Sequence, residues 1–140
     1  MGVLSYSPLT GGWLSGRWRK DAGQQSSSRA SRLPDRFDLT QPANQRKLEA
    51  VEQLAQLAED AGITLIELAI AFVLNHPAIT AAIIGPRTME QLDGQLTAAD
   101  VTLDAAILDR IDEIVAPGTT VNPVDNSFDN PALTPPARRL

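Results

Sequence analysis

Apolar residues recur along the chain at helical spacing in some stretches and in short continuous runs in others. Leu48, Val51, Leu54, Ala55, Ala58 and Ala61 return at three- and four-residue steps, which predicts an amphipathic helix over 45–61 stopped by Gly62. Thr64-Leu65-Ile66-Glu67 has the spacing of a capping box, in which a hydroxyl and a carboxylate satisfy free backbone donors reciprocally. It opens a second helix over 65–75, apolar on nearly every face and so expected to be buried, and Pro77 prevents its continuation. A short helix over 88–96 and a longer one over 103–115 follow, the latter with Leu103, Ile107, Leu108, Ile111 and Ile114 on one stripe.

The short runs predict two strands. Residues 3–7 are β-prone and closed by Pro8, while 80–84 are too apolar for a half-exposed strand and suit a parallel sheet covered on both faces. Strands roughly 75 residues apart pair most naturally as parallel neighbours through a helical crossover. Two parallel strands alone make no stable sheet, so these are expected to be pieces of a larger one. Between them, 11–36 carries glycines, a Ser26-Ser27-Ser28 run and several arginines without any period, which reads as a long loop of the kind that usually serves function. Residues 118–140 turn to Pro, Asn, Asp and Thr, and are expected to be extended or disordered.

Composition narrows the chemistry. The 140 residues suffice for one domain with a core, and 43% hydrophobic residues is ordinary for a globular protein. A net charge of -5 argues against general nucleic-acid binding. With no cysteine, disulfides, thiolate metal sites and a Cys nucleophile are excluded, and a single histidine, His76, rules out a multi-His metal site. No apolar run has membrane-spanning length, and no basic region precedes an apolar one at the N-terminus. A soluble, cytoplasmic protein is expected.

Two turns carry candidate chemistry. In Ile83-Ile84-Gly85-Pro86-Arg87-Thr88, Thr88 and Gln91 stand in capping-box spacing, so a helix N-terminus favourable to an anion begins beside Arg87. A guanidinium matches phosphate oxygens bidentately, Gly85 admits close approach, and no carboxylate on the turn serves a free ribose, which favours a phosphorylated one. The bland alternative is a capped helix with a surface arginine beside it. In the second turn, Tyr6-Ser7-Pro8-Leu9-Thr10-Gly11-Gly12 places an aromatic at a strand end before small residues, with Arg17 beyond, an arrangement able to stack a planar ring and hold a diphosphate. A glycine-rich turn with Tyr6 in the core is the competing reading.

Together, Tyr-Ser-Pro-Leu-x-Gly-Gly-x-Leu-Ser-Gly-Arg and the later Ile-Ile-Gly-Pro-Arg-Thr-Met-Glu-Gln-Leu resemble the C-terminal part of an aldo-keto reductase, in a pattern most like the potassium-channel β-subunit branch. The resemblance runs from residue 1 to about 117 and rests on two motifs in the right order and separation. It implies an α/β fold: the last two or so units of a (β/α)8 TIM barrel, mostly helical in this chain with two short parallel strands. The implied cofactor is NADP(H) and the implied substrate a small carbonyl compound. By resemblance, Tyr6 stacks on the nicotinamide, while Ser7, Pro8, Leu9, Thr10 and Gly11 line the diphosphate. Arg17 and Arg29 reach phosphate, Gly85, Arg87 and Thr88 surround the adenosine 2′-phosphate, and Gln91 and Gln95 lie near the adenine. At the last position the family more often has Asn.

The same resemblance places the family's catalytic Tyr, Lys, Asp and His on earlier strands. Tyr6 falls at the stacking position, Lys20 in a loop, Lys47 on a helix and His76 at a helix end, so no catalytic residue is assigned. The chain is expected to be a truncated aldo-keto reductase, inactive alone. The alternatives are a non-catalytic NADPH-binding or regulatory module, and a helical interaction domain.

Overall fold

A computed structural model describes residues 2–126. Its elements are β1 (Leu4–Tyr6), α1 (Ser28–Arg32), α2 (Pro42–Asp60), α3 (Leu65–Asn75), β2 (Ala81–Ile83), α4 (Met89–Leu96) and α5 (Ala105–Ile114). Single 3-10 turns at Thr10–Gly12, Pro34–Arg36, Thr97–Asp100 and Pro123–Asp125 join or follow them.

β1 and β2 pair in parallel with Leu4 opposite Ala81, Ser5 opposite Ala82 and Tyr6 opposite Ile83. The expected cover on both strand faces is not supplied by the described residues. Leu4 is 63% exposed, Tyr6 80% and Ile83 51%. Among the described residues, β2 packs against β1 and α3, and the outer edges of the two-stranded sheet are unpaired. Likewise α3 buries Leu65, Leu68, Ala69, Ile70 and Ala71 but leaves Phe72 exposed.

Helix ends follow the local chemistry. Gly62 adopts a φ of 72°, a left-handed conformation that ends α2, while the Ile63 amide donates to the Ala58 carbonyl at 3.0 Å. The capping box of α3 is complete: Thr64 Oγ1 accepts from the Glu67 amide at 3.1 Å, and Glu67 Oε2 accepts from the Thr64 amide at 2.7 Å. α2 begins at Pro42, earlier than its apolar period predicts, because a proline preset for the first helical position starts a turn with no apolar face. α5 begins after Asp104, whose carboxylate accepts from the Ile107 amide at 2.8 Å, so Leu103 lies before the helix although it is buried.

Hydrogen bonds from the Thr64 backbone, and then from Thr97 and Thr64 hydroxyls, hold the Glu67 carboxyl below its ordinary value. A carboxylate with a depressed folded pKa contributes stability that is full above its unfolded pKa and lost as pH falls through the folded one. Thr64→Ala is expected to cost about 1 kcal/mol at neutral pH, in the usual range for a lost N-cap. In urea melts, the gap from wild type should shrink as pH falls below the carboxylate range. A gap that widens there would contradict the reciprocal cap.

The stretch expected as a long loop is irregular apart from α1 and two 3-10 turns, and it forms a strap packed into the core. Trp13, Trp18 and Phe37 are buried and mutually stacked, with ring centroids 4.3 Å apart for Trp13–Trp18 and 5.8 Å for Trp13–Phe37. They join Leu48, Val51 and Ala55 of α2, Leu68 of α3 and Ile111 of α5 in one core. Arg19 ties the strap outside by charge-assisted bonds to Glu52 at 2.8 Å and Glu59 at 3.1 Å. Its core residues come from separate turns, which is why no period marks them.

The segment expected to be extended or disordered also differs where it is described. Asn122 is buried and caps the Pro123–Asp125 turn by accepting from the Val124 amide at 3.1 Å. Its amide nitrogen donates to Asn44 Oδ1 at 2.8 Å, and Asn44 in turn donates to the carbonyls of Asp35 and Asp38. Polar anchors, not an apolar stripe, seat this segment. Residues 127–140 of the expected tail lie outside the described residues.

Candidate functional site

Parallel pairing brings the C-terminal ends of both strands to the same edge, so the turns after Tyr6 and Ile83 face one cleft of about 740 Å³. Of the residues singled out in the sequence, the cleft is lined by Tyr6, Ser7, Pro8, Leu9, Gly11 and Arg17 from the first turn and its extension. Arg29 comes from α1, Gly85 and Arg87 from the second turn, and Gln91 and Gln95 from α4. Thr10 and Thr88 belong to the same turns without lining the cleft.

The first turn is tightly wound. Ser7 (φ 62°) and Thr10 (φ 50°) adopt left-handed conformations that non-glycine residues rarely hold, and Gly11 (φ 70°) continues them. The Thr10 amide donates to the Ser7 carbonyl at 2.9 Å and the Gly12 amide to the Leu9 carbonyl at 2.8 Å. Each such residue costs about 1–3 kcal/mol, and strain of this kind concentrates where a ligand is gripped. A Cβ at Gly11 would stand 3.2 Å from an Arg29 guanidinium nitrogen and 3.5 Å from Phe37. The glycine thus lets Arg29 lie against the turn. Ser27 holds α1 in place by accepting from the Ala30 amide at 3.0 Å.

At the second turn, Thr88 caps α4 by accepting from the Gln91 amide at 3.2 Å. The reciprocal half of the expected box is displaced by one residue: Gln91 Oε1 accepts from the Arg87 amide at 2.9 Å. Gln91 therefore stiffens the turn that presents Arg87. Gly85 has no atom of the chain within 4 Å of where a Cβ would point. The chain itself leaves that space open.

Charge sets the cleft apart. Arg17, Arg29, Arg32 and Arg87 line it against one carboxylate, Glu90, in a chain whose net charge is -5. A concave surface of one sign raises the local concentration of an oppositely charged ligand, here an anion. Arg32 was not evident in the sequence, although its i+3 spacing from Arg29 puts both on one helix face. Trp18 and Phe37 also reach the cleft from the core, and only their aromatic character within an aperiodic stretch hinted at it.

The remaining chemical groups lie elsewhere. His76 is the C-cap residue of α3, with Nδ1 accepting from the Ala78 amide at 3.1 Å. Lys20 is exposed in the strap. Lys47 is buried on α2, where Nζ donates to Asp125 at 2.9 Å and to the Arg36 carbonyl at 2.7 Å. Burial pulls its pKa below the ordinary lysine value, and the hydrogen bond to Asp125 opposes that pull. Among the described residues, no group of three or more His, Asp or Glu side chains is arranged to hold a metal, and no helix is long and apolar enough to cross a membrane.

The Aldo/keto reductase family model matches residues 1–116. An uncharacterized oxidoreductase of Bacillus subtilis, YrpG, is 36% identical over 114 residues, covering 81% of this chain and 32% of that protein. A putative voltage-gated potassium channel subunit beta of Schizosaccharomyces pombe is 29% identical over 116 residues, covering 81% of this chain and 34% of its own. A probable potassium channel subunit beta of Arabidopsis thaliana is 29% identical over 124 residues, covering 82% and 35%. The chain thus spans about a third of the length of these relatives.

Proposed function

The chain belongs to the aldo/keto reductase family, and on that premise we propose that its cleft is the phosphate-holding part of an NADP(H) site in a carbonyl oxidoreductase. One observation carries the reading: two strand-end turns, far apart in sequence, meet at a cleft bearing four arginines in an otherwise acidic chain. β1 and β2 are then the seventh and eighth strands of a (β/α)8 barrel, with the site at their C-terminal ends.

The residues present fit the dinucleotide. Tyr6, largely exposed at the end of β1, offers a flat face to the nicotinamide. The wound turn from Ser7 to Gly11, with Arg29 against it and Arg17 beyond, suits the diphosphate. Arg87 beside the open space at Gly85 suits a ribose phosphate, since the Gly85–Thr88 turn holds no carboxylate to bind a free hydroxyl pair. Gln91 and Gln95 supply amides on the adenine side. The cofactor, when bound, supplies or accepts hydride. The chain's one tyrosine stands at the stacking position and its buried lysine is held by Asp125, so neither is placed to move a proton to a carbonyl oxygen. Binding without turnover is the function expected of the 140 residues alone.

Trp18 lines the cleft and Trp13 stacks on it, so tryptophan emission reports occupancy. Titration should give saturable quenching, tighter for NADPH than for NADH, and no oxidation of NADPH with an aromatic aldehyde. Failure of both cofactors to quench would sink the cofactor site. Aldehyde reduction at an ordinary enzymatic rate would sink the claim of inactivity.

A further inference from the structure

Beneath the cleft, a chain of contacts links the segment around Asp125 to the strap that carries Arg17 and Arg29. Lys47 Nζ is its hub. It donates to Asp125 at 2.9 and 3.2 Å and to the Arg36 carbonyl at 2.7 Å, and lies 4.4 Å from the Trp13 ring centroid and 5.7 Å from that of Phe37. The Trp13 indole nitrogen donates to the same Arg36 carbonyl at 3.2 Å. Trp13 stacks on Trp18, which lines the cleft, and Phe37 stands within 3.5 Å of where a Gly11 Cβ would be. A second rung runs beside the first, with Asn122 bonded to Asn44 and Asn44 bonded to the carbonyls of Asp35 and Asp38. Residues 122–125 thus grip the underside of the layer whose upper side faces the cleft.

We infer that Lys47 is a positioning residue for the cleft, clamped from below by residues 122–125, so that docking of this segment and filling of the cleft by an anionic dinucleotide stabilise each other. The physical basis is shared order. The strap contains little regular secondary structure, and its turns pack through Trp13, Trp18 and Phe37 on the layer that Lys47 contacts, so their order depends on that layer, and a ligand held by Arg17 and Arg29 needs those turns fixed. Linkage makes the effect reciprocal. The inference rests on the cofactor reading of the cleft for the identity of the ligand, but not for the coupling between segment and strap.

Amide hydrogen exchange on the full chain tests the coupling without ligand. In Asp125→Asn, amides at 11–18 and 28–37 should exchange at least about tenfold faster, while those of α4, which lines the cleft away from the clamp, keep their wild-type rates. Unchanged exchange in the strap, or equal acceleration in every element, would overturn the proposal. The latter is what a merely structural loss produces. With NADPH read by tryptophan quenching, Asp125→Asn should bind about tenfold more weakly, within the usual range of coupling, whereas Lys47→Arg, which keeps a cation between Trp13 and Asp125, should bind within about threefold of the wild type. In the wild type, NADPH should slow exchange of the Val124 and Asn126 amides, and in Asp125→Asn it should not. If wild type shows no response to NADPH, the cofactor reading fails, and inorganic pyrophosphate takes its place as the probe. Slowed exchange at Val124 with pyrophosphate then upholds the clamp, and none overturns it.

Discussion

Trp13→Ala is expected to destabilise the chain by about 3–5 kcal/mol, the usual range for truncating a large buried aromatic. The side chain is 2% exposed and sits between three partners: Trp18 at 4.3 Å, Phe37 at 5.8 Å and the Lys47 ammonium over its ring at 4.4 Å. Its removal leaves a cavity that Trp18 and Phe37 cannot both fill, because each is fixed by other core neighbours. It also strips the cation–π contact from a buried ammonium, which raises the cost of holding Lys47 charged. Small domains have about 5–15 kcal/mol in total, so the loss takes a large share of what is available. Trp13→Phe keeps a stacked ring and forfeits the bond to the Arg36 carbonyl, so it should cost about 1–2 kcal/mol less than the alanine change. Urea unfolding followed by far-UV circular dichroism measures both. A Trp13→Ala midpoint equivalent to less than about 1 kcal/mol would show that the aromatic cluster is not the centre of this core.

That cluster also marks what the amino-acid pattern discloses and what it hides. The extended runs at 3–7 and 80–84, the helix stop at Gly62 and the box at Thr64–Glu67 are each set by neighbours within four residues, and the structure places them within a residue or two. α2 starts three residues early because the informative residue there is Pro42, not the apolar stripe. The strap is different. Trp13, Trp18 and Phe37 come from separate turns, and nothing local says that they meet. The Asn44–Asn122 and Lys47–Asp125 contacts each join residues 78 apart, through polar groups of a kind that usually stays on the surface. Buried polar pairs leave no period behind. The cleft was more legible, because its turns carry glycine, proline and arginine in an order that strand pairing then brings together. Arg32 carries no such signal, because α1 is five residues long, too short to display a helical pattern.

Arg87→Met should separate two cofactors that differ only by a phosphate. Arg87 precedes the cap of α4 and lines the cleft next to the open space at Gly85. A charge-assisted bond from guanidinium to phosphate contributes about 1.5–3 kcal/mol, and an exposed arginine lies at the lower end, so the variant should bind NADPH roughly tenfold more weakly. NADH, with no 2′-phosphate, should lose less than about twofold. Methionine keeps the length and apolar stem, and the Arg87 backbone amide still donates to Gln91, so the turn itself is preserved. Arg29→Met provides the contrast. Arg29 lies against Gly11, on the side proposed above for the diphosphate, a group common to both cofactors, and its loss should then weaken NADPH and NADH alike. Salt sharpens the distinction: the NADPH preference of the wild type should narrow as ionic strength rises toward 1 M, where the screening length falls to about 3 Å, and that of Arg87→Met should barely change. If Arg87→Met loses both cofactors equally, the guanidinium serves the diphosphate or only the fold, and the assignment of the Gly85–Thr88 turn to the 2′-phosphate is wrong. If the ratio alone collapses, the turn discriminates a phosphorylated ribose from a free one.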